Sequence, residues 1–197
     1  MIKKGIVFIF FILSCHIAIW AQDNKVNPNG YNRFYYENGK LASEGFMKDG
    51  KPDGYWKTYY ETGILKSEGN RKNFELDSIW KFYDEEGKIK LEIRYIKGKK
   101  NGIQRTYRKD EYVDERFIDD IKQGLTKYYY TDGLLKKTVL FKDGLETGLA
   151  KEFGRDGTVI TIFEYRKGFI INRQYINRKD KNGLKQGIGK NFIKTDW

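Results

Sequence analysis

The chain has 197 residues, 38 Lys and Arg against 27 Asp and Glu, and a formal charge of +11. Its one cysteine and one histidine, Cys15 and His16, both fall in the first 21 positions. With that segment removed, no thiol and no imidazole remain, which excludes disulfides, Cys- or His-ligated metals and Ser-His or Cys-His nucleophilic catalysis.

Residues 1–21 have the layout of a secretory signal peptide: Lys3 and Lys4 at the start, an apolar run from Ile6 to Ile19, and the small Ala21 before the cut. The run falls short of the ~20 residues that a membrane-spanning helix needs. Retention as an anchor and lipidation at Cys15, behind Ile12-Leu13-Ser14, are the alternatives. Leu13 is atypical for a lipidation motif and the apolar stretch continues past the cysteine, so cleavage is favoured. The predicted order is a signal helix over 1–21, a short linker over 22–29, a repeat array over 30–168 and a basic C-terminal segment over 169–197. Such a chain is exported, to the periplasm or the cell surface.

The array is the dominant signal. The segment that begins Gly54-Tyr-Trp-Lys-Thr-Tyr-Tyr recurs with starts at Gly30, Gly54, Ser78, Gly102, Gly124 and Gly148, spaced 24, 24, 24, 22 and 24 residues apart, and partially at Gly187. Counting from each start, position 6 is always aromatic (Tyr35, Tyr59, Tyr83, Tyr107, Tyr129, Phe153, Phe192). Position 10 is glycine in five copies and position 12 aliphatic in the same five. Each copy predicts two strands. The first, as in Tyr55 to Tyr60, ends in a glycine turn. Asn38-Gly39, Asp132-Gly133 and Asp156-Gly157 are the strongest hairpin signals. The second strand alternates: Ile89, Leu91, Ile93 and Tyr95 against Lys88, Lys90, Glu92 and Arg94. A second turn, placed at Lys51-Pro52-Asp53-Gly54, leads onward. The fourth copy lacks two residues and the turn glycine, so the stretch from Arg108 to Asp120 predicts a shortened hairpin with a charged tip. The fold class is therefore all-β, an elongated antiparallel meander of six to seven hairpins. About a dozen strands at ~4.8 Å spacing make a sheet of roughly 55–65 Å.

Gly-x-Trp-x-x-Tyr-Tyr-x-x-Gly-x-Leu-x-x-Glu, best kept at Gly54–Glu68 and Ser78–Glu92, resembles the MORN-type repeat in its longer bacterial variant, as in the antitoxin-like YwqK family. The resemblance covers about residues 30–168 and implies an elongated hairpin array acting as a scaffold, a protein-binding surface or a lipid-associated platform.

The periodic aromatics at position 6 read as repeat core, whereas Trp56, Trp80, Tyr60 and Tyr130, at positions 3 and 7, are divided between core and a stacking surface. Two basic clusters offer attraction to an anionic partner. One holds Arg94, Lys97, Lys99, Lys100, Arg105 and Arg108; the other includes Arg173, Arg178, Lys179 and Lys181. The acidic stretch 110–120 has neither calcium-loop spacing nor the glycine such a loop needs. The recurring Glu44, Glu68 and Glu92 read as cross-strand partners of Lys or Arg. No residue is set aside for catalysis, a cofactor or a metal. The expected function is non-enzymatic: a scaffold that binds a protein of the cell envelope. The alternatives are an antitoxin-like or immunity protein that caps a toxin, and a binder of anionic lipid or glycan. An exported chain has little occasion to meet nucleic acid.

Overall fold

The computed structural model describes residues 26–176, together with the backbone of three short strands beyond them. The predicted signal segment and Lys181 lie outside the described residues. Hairpins succeed one another: β1 (Tyr31–Tyr35) and β2 (Leu41–Lys48), β3 (Lys51–Tyr59) and β4 (Leu65–Lys72), β5 (Glu75–Tyr83) and β6 (Ile89–Ile96), β7 (Lys99–Tyr107) and β8 (Glu111–Ile118). After the two-residue β9 (Ile121–Lys122) come β10 (Gly124–Tyr130) and β11 (Leu135–Lys142), β12 (Leu145–Phe153) and β13 (Val159–Arg166), then β14 (Phe169–Tyr175). β15 (Arg178–Lys179) pairs with β16 (Lys185–Gln186), and β17 (Gly189–Asn191) adds to β14.

The main sheet runs β1 to β8, β10 to β14, then β17, with β9 alongside β8. Every pairing is antiparallel and, β17 apart, joins strands close in sequence. This is the expected meander, in one open sheet. Regular pairing continues past Gly168: β14 pairs with β13 from Arg166↔Phe169 to Thr161↔Tyr175.

Turn chemistry differs from the simplest sequence reading. The turns at Asn38-Gly39, Asp132-Gly133 and Asp156-Gly157 are three-residue loops rather than two-residue ones. Tyr36 and Lys40 close the first, the Gly39 N–H donates to Tyr36 O at 2.9 Å, and only Gly39 has positive φ, at 77°. This is a type I turn completed by a left-handed glycine, the usual three-residue hairpin. The Asn or Asp carboxamide or carboxylate then accepts from a backbone N–H two residues on, as in Lys40 N–H to Asn38 Oδ1 at 2.9 Å. The two-residue turns with both φ positive sit at the opposite end, as at Asp49-Gly50 and Lys97-Gly98. Lys51, Pro52, Asp53 and Gly54, predicted as a turn, belong to β3, where a bulge between Gly45 and Met47 accommodates them. In the shortened fourth copy the loop is two residues, closed by Arg108 N–H to Glu111 O at 2.8 Å. Its register runs without the shift the other hairpins carry, and Arg108 and Glu111 form a 2.8 Å ion pair at the tip.

Two of the turns with both φ positive lack glycine, Asn73-Phe74 and Asp119-Asp120. Phe74 holds φ at 76° in Asn73-Phe74 and is exposed. A bulky side chain in left-handed backbone is destabilising by roughly 1–2 kcal/mol. Phe74→Gly is therefore expected to raise stability by about 0.5–1 kcal/mol after the added freedom of the unfolded chain is subtracted. A urea titration that showed no upward shift would contradict it.

Strand alternation gives the sheet a packed face and an open face. On the packed face one row of cross-strand partners runs Asn32, Gly45, Trp56, Gly69, Trp80, Ile93, Gln104, Glu115. It continues with Thr126 opposite Val139 and Ala150 opposite Phe163. Large and small residues alternate because each indole lies flat on its neighbour: a Cβ on Gly69 would meet Trp80 Cδ2 at 2.5 Å, and one on Gly45 would meet Trp56 Cδ2 at 2.5 Å. Where glycine gives way to Ile, Val or Phe, the tryptophan gives way to Gln, Thr or Ala. Two apolar clusters result. One gathers Trp56, Trp80 and Ile93 with Phe34, Phe82 and Leu91 around them, and the other gathers Val139, Phe141, Ala150 and Phe163. Between them the row turns polar. Glu115 accepts from Gln104 Nε2 at 2.9 Å and pairs with Lys122 Nζ at 2.7 Å. The Lys122 ammonium also sits 3.6 Å from the Phe141 ring centroid.

Candidate binding face

The open face carries three parallel stripes. The first is position 2, where Tyr31, Tyr55, Ile79, Ile103, Leu125 and Leu149 are all apolar and 45–57 % exposed. Each stands on a strand whose packed face is already committed to the core.

The second stripe is a ladder of charge. Position 4 is basic in all six copies, and its partners across the sheet sit at position 15. From β1 to β10 the partners in succession are Arg33, Glu44, Lys57, Glu68, Lys81, Glu92, Arg105, Asp114 and Lys127. Sign alternates at every strand. Arg105 holds Asp114 with two bonds of 2.7 Å, and Arg33 meets Glu44 at 3.2 Å. That carboxylate holds the Arg105 guanidinium charge firmly, raising its pKa. Such exposed pairs are worth ~0.2–1 kcal/mol each, so the ladder's main effect is on register. Beyond Lys127 the acids stop: Thr138 and Ile162 take their places, leaving Lys151 between neutral partners.

The third stripe is position 6, where three tyrosines each bond a ladder carboxylate of the preceding repeat. Tyr59 donates to Glu44 Oε1 at 2.7 Å, Tyr83 to Glu68 Oε1 at 2.7 Å and Tyr107 to Glu92 Oε2 at 3.2 Å. The Glu column thus joins tyrosine as well as the expected Lys and Arg. Burial first, then the bond to Glu68, pushes the Tyr83 hydroxyl up to about 12. It therefore stays protonated and donating at neutral pH. The Tyr59 hydroxyl bond holds Glu44 below the ordinary carboxylate range against the opposing effect of burial. At Glu68 burial opposes the shift and is outweighed by the hydroxyls of Tyr83 and Tyr55.

Carboxylates with depressed native pKa values contribute stability above their unfolded value and lose it as pH falls through the folded one. The urea midpoint should accordingly fall as the pH drops below about 4.5, the ordinary glutamate value. Glu44→Gln with Glu68→Gln should flatten that acid limb. An unchanged limb would show that these bonds do not form.

The sequence-predicted residues are divided by this arrangement. Trp56 and Trp80 are 6 % and 2 % exposed, so they are core and not a stacking surface. Their indole N–H groups donate to Phe46 O at 2.9 Å and Asn70 O at 2.7 Å. The Tyr60 hydroxyl donates to Tyr83 O at 2.8 Å, tying one repeat's turn to the next. Tyr130 is flanked by Arg155, 4.4 Å from its centroid, and Lys136 at 5.5 Å. The basic stretch 94–108 is not one patch. Lys97 is in the β6–β7 turn and Lys99 follows it, Lys100 lies on the packed face over Phe117, Arg105 is in the ladder and Arg108 is at the opposite hairpin tip. Arg173 is half-buried over Phe163, 4.8 Å from its centroid. Arg178 and Lys179 are placed as backbone only. The acids of 110–120 are engaged structurally: Glu111 with Arg108 and Lys136, Asp114 with Arg105, Glu115 with Lys122. Among the described residues, no three His, Cys, Asp or Glu gather as metal ligands.

The position 2 and position 4 stripes were missed at the level of sequence. Reading every column of the repeat, and not only the aromatic and glycine ones, would have found both.

A single open sheet of hairpin repeats, packed on one face and exposed on the other, defines a repeat scaffold rather than an enclosed site. The family model described as the MORN repeat variant matches residues 28–49, 52–73, 76–97 and 122–143, and the chain is a MORN-type repeat protein. The matched stretches are copies one, two, three and five of the array. No curated protein matches the sequence.

Proposed function

We propose that the chain is a non-enzymatic scaffold, exported to the cell envelope, that holds a protein partner along its open face. The observation that supports this is the position 2 stripe: six apolar side chains, evenly repeated, none needed for the core. Extended apolar surface of this kind marks a protein contact. The signal-like 1–21 segment supports export. The test uses the full chain carrying a photo-crosslinking residue at Tyr55, Leu125 or Leu149, with Lys97 in a turn as the control. Crosslinks to an envelope protein from the three face positions only, and a mature N-terminus at Gln22, are expected. Crosslinks to a cytosolic toxin alone, or from the turn position equally, would overturn it.

A further inference from the structure

Within the open face, β5 to β8 form a groove of about 650 Å³ whose lining includes Ile79, Arg94, Gly102, Ile103 and Arg116. Isoleucine and arginine alternate on four adjacent strands, with Ile79 directly opposite Arg94 and Ile103 directly opposite Arg116. Ile79 and Ile103 are 57 % and 53 % exposed. The two guanidiniums differ from the other cations here. Lys81 and Arg105 have Glu92 and Asp114 as partners, at 4.0 and 2.7 Å. Arg94 and Arg116 make no ion pair among the described residues. The Arg94 stem lies instead on Gly102, where a Cβ would meet Arg94 Cδ at 3.0 Å. Gly102 has φ of 119°, so a side chain there is doubly disfavoured and the arginine keeps its bed.

Resting on the scaffold reading, we infer that this groove is the docking site for an acidic, aliphatic-bearing segment of the partner polypeptide. Its carboxylates would meet Arg94 and Arg116, and its aliphatic side chains would cover Ile79 and Ile103. Charge complementarity favours this occupant: two exposed guanidiniums without counter-ions accept carboxylates in bidentate geometry. The apolar stripe runs on to Tyr55 on one side and Leu125 on the other, which suits a chain crossing the strands better than a compact molecule. Arginines two strands apart are ~9.6 Å from one another, close to the ~9.3 Å between residues i and i+3 of an extended three-per-turn segment. Glu92 also lines the groove but is held by Lys81 and Tyr107; a flat anionic membrane would press in addition on Glu44 and Glu68 in the ladder beyond it, so it fits less well.

The test pans a random 12-residue peptide display library on the full chain, and in parallel on Arg94→Gln with Arg116→Gln. The parent chain should enrich peptides bearing Asp or Glu at i and i+3 with Leu, Ile or Val between. Affinity for a synthesised winner should fall on the order of 10–100-fold in the double variant. A double variant with an altered urea midpoint is replaced by Arg94→Lys with Arg116→Lys. This keeps the charge and loses the fork, and a smaller drop is expected. Enrichment without acids, or unaffected by the arginines, overturns this inference and leaves the scaffold reading standing. Arginine-dependent binding to phosphatidylglycerol vesicles with no peptide enrichment, or arginine-dependent self-association, overturns it in favour of a membrane or a second copy. No binding of any kind overturns both readings.

Discussion

Trp80→Ala should lower the free energy of unfolding by about 3–5 kcal/mol, read as a lower urea midpoint. The indole is 2 % exposed and sits at the centre of the N-terminal apolar cluster. Its removal leaves a void that flanking glycine cannot fill. Gly69→Ala should also be damaging, by about 1–3 kcal/mol, because the added methyl would stand 2.5 Å from ring atoms and the strand cannot move away from both neighbours. The two losses should not add. With the ring gone the methyl has room, so the double variant is expected to be more stable than the sum predicts by about 1 kcal/mol or more. Additive losses would show that the indole does not rest on the glycine.

The second large effect is expected at the polar link between the clusters. Glu115→Ala leaves Lys122 and Gln104 without their acceptor, in a place where Glu115 and Lys122 are only 19 % and 17 % exposed. The cost should be about 2–3 kcal/mol, between that of exposed and fully buried pairs. Glu115→Gln with Lys122→Met removes both charges at similar volume and should lie closer to the parent. Hydrogen exchange should quicken first in β7, β8 and β10, since a linear array yields locally. Exchange that quickened uniformly would contradict the local link.

Much of the fold was legible because the chain repeats. Hairpin number, strand order and the shortened fourth copy follow from the glycine and aromatic columns, and the structure reproduces them. Turn type was less legible. Asn38-Gly39 fits either a two-residue or a three-residue loop, and only the pairing of Tyr36 with Lys40 selects the latter. Trp56 and Trp80 could not be assigned to core or surface from the residues alone, because a sheet tryptophan is equally consistent with both. The deciding partner is glycine on the adjoining strand, Gly45 or Gly69, a relation between neighbouring strands and not within one. The basic clusters misled for a similar reason. Lys97 and Arg108, near each other along the chain, stand at opposite ends of β7, whereas residues 24 apart share a stripe.

A tandem array faces a hazard that a unique sequence does not: a strand can find its copy one unit further along and still match hydrogen bonds and charge alternation. The uneven row of the packed face guards against that mistake. Were β3 to take β6 in place of β2, Trp56 would meet Ile93 where its indole now rests on Gly45, and two large side chains would contend for one space. Sliding the later copies would confront the same difficulty at Gln104 and Glu115, which have no counterparts elsewhere. Irregularity among the copies thus acts as an address, letting each strand recognise its own neighbour during folding and discouraging exchange of hairpins between molecules.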